Sequence, residues 1–537
     1  MRRRTEISLS WAGNVVALSG LSPKGRACLL MNKGAVIARR ADAAMLYRLA
    51  RIQILLLAVV FFSTPLSAQT SDQSLPSAEQ VDAYIEQGMR QLEIPGAAVA
   101  LIADGKITHL KGFGYIDGSG IPVTAKTPFQ LGSVSKSFAA LVVLQLAEEG
   151  RLSLDDPVSK YIPYFQADDK TASDKITVRH LLSHRSGLAT IDGNRHQDTT
   201  YRGDDAMERV VRELKSAHLF AMPGDRFQYS NANYIVLAQL IETVEKVPYE
   251  KVVKARIFSR LGMNNSYVQI ADAATAEPAV GHTQWFGRTF ERNFIAGRAM
   301  MGPGGITASA EDLATYLVAV FENDPRIMPK ALSEALTRER KGGYEFGWEF
   351  DTVDERRVVF HGGLNPGFLA MVKYTPDTRN GALVLTNMSG SLEGNFIYGA
   401  TDYALGLPPT DISPPNIALL RLWGTLSLTF LLATGCVLSL YALIKRAPKS
   451  PRRSVAMKWL WIGVPSLFLF GLSYFLVFVV PQLSGVNLTA VRMFYPDLGL
   501  LLAVSSGIAV FWAVARAVLL QKRGHPQTSD KTGTPTI

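Results

Sequence analysis

Ser133-Val134-Ser135-Lys136 places a hydroxyl three residues ahead of a primary amine. On a helix that spacing puts both side chains on one face, one turn apart. A serine hydroxyl is a weak nucleophile until a neighbouring base takes its proton. A partly desolvated lysine can take it, or can hold the site positive. Free N–H groups in the first helical turn would favour an anion at the same place. The pattern is short, and ordinary Ser and Lys usage gives about one or two chance matches in a chain this long. Within residues 69–415, however, Ser133 is the only serine with lysine three positions on.

Two further groups have the types such a centre needs. Tyr229-Ser230-Asn231 offers a phenol, which beside two cations loses its proton more easily and can shuttle it. Its asparagine amide carries both donors and an acceptor, enough to hold a substrate carbonyl and the lysine. Taken alone, the same residues read as a tyrosine in the core and an asparagine capping a helix. His361-Gly362-Gly363-Leu364 is the one histidine followed by two glycines. Glycines there let another backbone approach closely, as docking along a strand edge requires. Lys341-Gly342-Gly343 competes for that role, ahead of Tyr344–Trp348, expected to begin a strand.

The elements that would position these groups can be read from pattern. GAAVALI (96–102) and KITHLKGFGY (106–115) flank Asp104-Gly105, a hairpin signal. A helix fits Ser133 to Glu149, ended by Gly150, and a second fits Asn231 to Val244. A third begins near Ser309, where Ser309 and Asp312 resemble a capping box. Strands are expected at 368–374 and 381–387 around the turn-rich 375–380. Strands early and late with helices between predict an α/β sheet built by both chain ends around a helical insert.

Ser-x-x-Lys, Tyr-x-Asn and His-x-Gly, in this order, resemble the signature of class C β-lactamases and related DD-peptidases and esterases. FQLGSVSKSF, HLLSHRSGL, PGDRFQYSNANYIVLAQLIE, GPGGITASAEDLATYL and HGGLNPGF resemble the family's blocks, over about residues 80–405. The resemblance implies a β-lactamase/transpeptidase-like fold: an antiparallel sheet with packed helices and a helical subdomain. It also implies roles. Ser133 attacks a carbonyl, activated by Lys136 and Tyr229. Backbone N–H groups of Ser133 and Leu364, with Gly363 beside them, form an oxyanion hole. Asn231 orients the substrate amide and His361 lines the opposite wall. Where the better-known pattern has Lys-Thr-Gly, His361 and Gly362 replace the lysine and threonine. A fixed cation and a hydroxyl for a substrate carboxylate are gone, which points to less anionic substrates.

Charge and apolar runs give the organisation. The net charge of +10 is carried at the ends: residues 52–409 hold 34 Lys/Arg against 41 Asp/Glu. A nucleic-acid partner therefore loses its support. Cys28 and Cys436 leave the middle without thiols for disulfides or a Cys-based metal site, and no zinc cluster or cofactor motif is present. Met45 begins a basic head, the apolar run 54–62 and Pro65-Leu-Ser-Ala68, a signal-peptide pattern with cleavage after Ala68. The expected organisation is an extension 1–44 (with translation from Met45 the favoured start), a signal peptide 45–68 and a hydrolase domain 69–415. A three-helix transmembrane region 416–521 and a polar cytoplasmic tail 522–537 follow. The spans expected are 422–444, 459–480 and 498–520, with Lys/Arg clustered in 445–458 and after the last span. The positive-inside rule then puts the domain on the periplasmic side of a cell (inner) membrane. A serine hydrolase acting on cell-wall peptides, esters or β-lactams is the leading expectation. A membrane-anchored, acylatable sensor with slow turnover is the alternative.

Overall fold

The computed structural model describes residues 75–522, apart from 197–200, 270–276, 293, 339–341, 391–394, 410–411, 413–415 and 446–454. The expected extension, signal peptide, Lys341, most of the basic 445–458 loop and the tail beyond 522 lie outside the described residues. Seven strands form the main sheet: β1 (Gly96–Ala103), β2 (Lys106–Gly114), β3 (Gly343–Glu345), β4 (Trp348–Val353), β5 (Arg356–Asn365), β6 (Phe368–Thr375) and β7 (Asn380–Thr386). Their order is β2-β1-β7-β6-β5-β4-β3, every pair antiparallel. Ala97 stands opposite Thr386, so the first strand of the domain closes against the last. This is the sheet built by both chain ends.

Both faces of the sheet are covered. Ala98, Ala100, Ile102, Leu383 and Leu385 join one core cluster, while Ala97, Val99, Ala382 and Val384 join another. Alternate side chains of one strand enter opposite cores, which is why GAAVALI is apolar without a break. The larger core holds α2 (Ser135–Glu148), α4 (Asn231–Glu245) and α5 (Ala310–Phe321), with the short α3 (Thr190–Asn194) packed against α4. The smaller one lies under α1 (Ala78–Leu92) and α6 (Phe396–Ala404). The β1–β2 turn puts Asp104 and Gly105 at φ 50 and 71, the left-handed pair that a two-residue hairpin demands.

Three expectations need correcting. Ser133 does not open the α-helix: Gly132–Val134 is a 3₁₀ turn, and α2 begins at Ser135. Gly132, the first residue of that turn, takes φ 51, a left-handed value open to glycine. Only half of the capping box at α5 forms. Ser309 Oγ accepts from the Asp312 N–H, but the Asp312 carboxylate accepts from Asn265 N–H at 2.7 Å and from Ser266 Oγ at 2.8 Å. Asn231 is not a cap; Ser230 holds that position and makes no side-chain cap bond. α4 itself runs one residue longer than expected, and Lys246 at φ 57 ends it.

Beyond the sheet, α7 (Asn416–Lys445), α8 (Val455–Tyr474) and α9 (Pro496–Lys522) are mostly apolar, with charged residues chiefly toward their ends. α8 continues through a π turn to Leu483. All three are long and apolar enough to cross a membrane, and the expected spans fall inside them. α9 packs on both others. Thr429 and Ser505 share a hydrogen bond of 2.7 Å, and Ser473 and Ser506 one of 2.6 Å, small hydroxyls that tie apolar helices together.

Lys373 on β6 meets Asp402 on α6 at 2.5 Å, with only 8% and 15% of their side chains exposed. Burial lowers the pKa of the Lys373 amine, and Asp402 opposes that. Asp402→Ala would strand a buried cation and should cost about 3–5 kcal/mol, whereas Lys373→Met/Asp402→Leu should cost far less. Thermal unfolding of both variants in detergent checks this. A single variant within about 1 kcal/mol of wild type would show the pair to be idle.

Candidate active site

Lys136 is the first residue to consider because its position is the least expected. It is fully buried on α2, and its Nζ lies 2.9 Å from Ser133 Oγ and 2.9 Å from the Pro303 carbonyl oxygen. The Tyr229 ring is 4.8 Å from the same nitrogen and the Tyr234 ring 5.7 Å. Desolvation holds the Lys136 amine well below the usual lysine range, with Glu349 on β4 pulling the other way. An amine in that state can give one N–H to Pro303 and point its lone pair at the Ser133 hydroxyl. Ser133 itself stays partly open to solvent while its neighbours are buried. A hydroxyl that can be reached and a base that cannot is the arrangement nucleophilic catalysis needs.

The β5 strand supplies the facing wall. β4 pairs with β5 only as far as Phe360, so from His361 onward that edge is open to the Ser133 turn. A Cβ on Gly363 would stand 1.9 Å from the Leu131 carbonyl oxygen and 3.1 Å from Ser133 N. A Cβ on Gly132 would stand 2.5 Å from Leu364 N. The two backbones therefore meet with no room for side chains, and the amides of Ser133 and Leu364 share one junction. Gly343, of the competing Lys-Gly-Gly, instead pairs with Phe350 at the far edge of the sheet.

His361 is buried, its Nε2 3.3 Å from the Tyr344 hydroxyl. Burial, then Lys136, depress it to about 3, so it is neutral at any ordinary pH. Tyr229 lies 6.4 Å from it, ring to ring. The expectation that Tyr229 ionises easily is overturned. Burial pushes its phenol well up, and the hydrogen bond with Ser133 offsets only part of that. Asn231 is brought to the same wall, where its Nδ2 donates to Asn194 Oδ1 at 2.8 Å and its Oδ1 has no partner.

Sequence reasoning missed several residues of this cluster. His184 packs its ring 4.4 Å from Tyr229 and 4.6 Å from Tyr344, and its Nδ1 accepts from Ser230 N–H at 3.2 Å and from Asn233 Nδ2 at 2.8 Å. It is the second of the two histidines in HLLSHRSGL, where nothing in the pattern singles it out. Glu349, which faces Lys136 and is itself raised by burial, carried no signal at all. Pro303 lies in the GPGG run, but a carbonyl ligand leaves no trace in side-chain chemistry. Among the described residues no three His, Cys, Asp or Glu are grouped to hold a metal ion.

Known proteins resemble this chain in sequence and fold. The family model described as Beta-lactamase matches residues 81–398. Protein flp of Staphylococcus aureus (strain COL) is 28% identical over 323 residues, 58% of this chain and 64% of its own. The chain thus spans just under two thirds of that relative's length. Penicillin-binding protein 4 of Amycolatopsis lactamdurans is 28% identical over 317 residues, covering 55% of this chain and 81% of that protein. The octameric penicillin-binding protein homologue from Pyrococcus abyssi is a structural neighbour with TM-score 0.55 and 30% identity, covering 65% of this chain and 82% of its own. With more than half its length matched, and with the fold of the penicillin-binding homologues, the chain belongs to the β-lactamase family.

Proposed function

We propose that the chain is a membrane-anchored serine hydrolase that is acylated at Ser133 and works outside the cytoplasm. The observation that carries this is the fully buried Lys136 amine 2.9 Å from a reachable Ser133 hydroxyl. In the first step the Ser133 proton passes to Lys136 Nζ while Oγ bonds to the substrate carbonyl carbon. The carbonyl π pair moves to its oxygen, held by the Ser133 and Leu364 N–H groups. Collapse breaks the bond to the leaving group, which takes the Tyr229 phenol proton; Lys136 returns its proton to Tyr229. Water then attacks the ester by the same relay and frees Ser133.

Substrates are peptide, ester or β-lactam carbonyl compounds of low negative charge. Neutral His361 supports that limit: the third motif offers no cation to a substrate carboxylate. The basic residues beside the apolar helices support a periplasmic domain on an inner-membrane anchor. A slowly deacylating sensor is separated from a hydrolase by the lifetime of the acyl group.

A fluorescent penicillin or fluorophosphonate probe should label the chain, and Ser133→Ala should remove the label. Labelling that persists in that variant moves the nucleophile elsewhere. The acylation rate should rise with pH along one limb lying below the ordinary lysine value of about 10.4, as Lys136 loses its proton. His361, at about 3, and Tyr229, pushed well up, add no limb between. A limb at the ordinary lysine value would contradict a desolvated base. Gly363→Ala forces the two backbones apart and should cost about 10²–10³ in kcat/KM. A tenth of that loss would argue against an oxyanion hole at this junction.

A further inference from the structure

The segment between α8 and α9 reaches the catalytic wall. Gly485, just beyond the end of α8 and at φ 67, offers its carbonyl oxygen to Asn194 Nδ2 at 2.9 Å. A Cβ on Gly485 would stand 2.8 Å from the Thr190 methyl carbon. Thr190 and Asn194 are the two ends of α3, so this loop lies along the length of that helix. A second contact fixes the same register: Phe286 N–H donates to Asp497 Oδ2, at the start of α9, at 3.2 Å.

On its other side α3 holds the Tyr-x-Asn motif. Thr190 Oγ1 donates to the Tyr229 carbonyl at 2.6 Å, and Ser230 Oγ donates to the Ala189 carbonyl at 2.8 Å. A Cβ on Gly193 would stand 2.7 Å from Asn231 N, so the two backbones touch. Asn194 accepts from Asn231 Nδ2 at 2.8 Å. These bonds have only one consistent direction. A backbone carbonyl can only accept, so Asn194 must turn its NH₂ to Gly485 and its oxygen to Asn231. Asn231 must then answer with its own NH₂, which leaves its carbonyl oxygen as the buried, unpartnered acceptor in the catalytic wall. Reversing Asn231 would set two oxygens against each other.

From this relay we infer that the loop at Gly485 is a positioning element of the active site, acting through Asn194 to fix the polarity of Asn231 and through Thr190 to seat Tyr229. Asn194 and Thr190 are positioning residues. The apolar helices therefore do more than anchor, and a shift of α8 against α9 would reach the acylation step. The inference rests on Ser133 being the acylated residue.

The test uses the full chain in detergent micelles and follows the rate of Ser133 labelling by a fluorescent penicillin. Gly485→Ala should slow labelling about three- to tenfold, the worth of a hydrogen bond of ordinary strength. Adding Thr190→Ser removes the methyl carbon at 2.8 Å and keeps the hydroxyl on Tyr229, but leaves Thr190 Cβ at 3.0 Å and the left-handed φ of Gly485, so the double variant should recover only part of the rate. Asn194→Asp still accepts from Asn231 but cannot donate to Gly485, and should be slowed like Gly485→Ala. Wild-type rates in Gly485→Ala and Asn194→Asp would overturn the relay. Absence of any label on the wild-type chain would instead overturn the hydrolase reading beneath it.

Discussion

The burial of one amine governs the rest of the site. Lys136 sits on a helix whose residues from Ser135 to Leu146 are all buried, in a domain core where a charge is expensive. The fold accommodates it by lowering its pKa rather than by pairing it closely, since Glu349 is also raised by burial and makes no hydrogen bond to it among the described contacts. A desolvated amine gives up its proton more readily than an ordinary lysine, and Ser133 Oγ lies 2.9 Å from it. The same desolvation keeps Tyr229 protonated and His361 neutral. At rest the phenol and the imidazole are uncharged, and burial disfavours the charge on the amine. In the proposed acylation, charge would develop as a substrate carbonyl is attacked, and the amides at the junction of β5 and the Ser133 turn would meet it at the transition state.

That junction depends on two glycines for a steric reason. Gly132 must take a left-handed φ to turn the chain into α2, and the β5 backbone must pass within contact of it. Any side chain on Gly363 would enter the Leu131 carbonyl. The strand can pass so near because β4 stops pairing at Phe360 and leaves the edge free. A sheet of both chain ends, with β5 inside it rather than at its rim, therefore presents an open edge only where the nucleophile needs one.

How much of this was legible in the sequence follows from where the signal is stored. Strand and helix identities around Ser133, Asn231 and 368–387 were readable, because their period and their turn residues are local. The start of α2 was misplaced by two residues, since Gly132 reads as a family residue but its φ is set by the approach of β5, more than two hundred positions later. Tyr229 was assigned the wrong tendency for a similar reason: proximity to lysine suggests easy ionisation, and only packing reveals that burial wins. Glu349 and the Pro303 carbonyl gave no pattern to find. Their roles exist only once Lys136 is enclosed.

The anchor raises a question that one apolar helix would not. A single span would tether the domain but could not return a loop to it. Here the turn after α8 meets α3, while the start of α9 meets Phe286. α9 is also the helix that touches both others, through the hydroxyl pairs Thr429–Ser505 and Ser473–Ser506. A rearrangement within the bundle would therefore move α9 against α8 and act on the loop held between them. From Gly485 the path to Asn231 is two hydrogen bonds long, each with its direction forced by a carbonyl that can only accept. Short, directional connections of this kind transmit a displacement that a flexible tether would absorb. The physical case for multiple spans thus lies in the fixed geometry between bundle and catalytic wall, not in the strength of the anchoring.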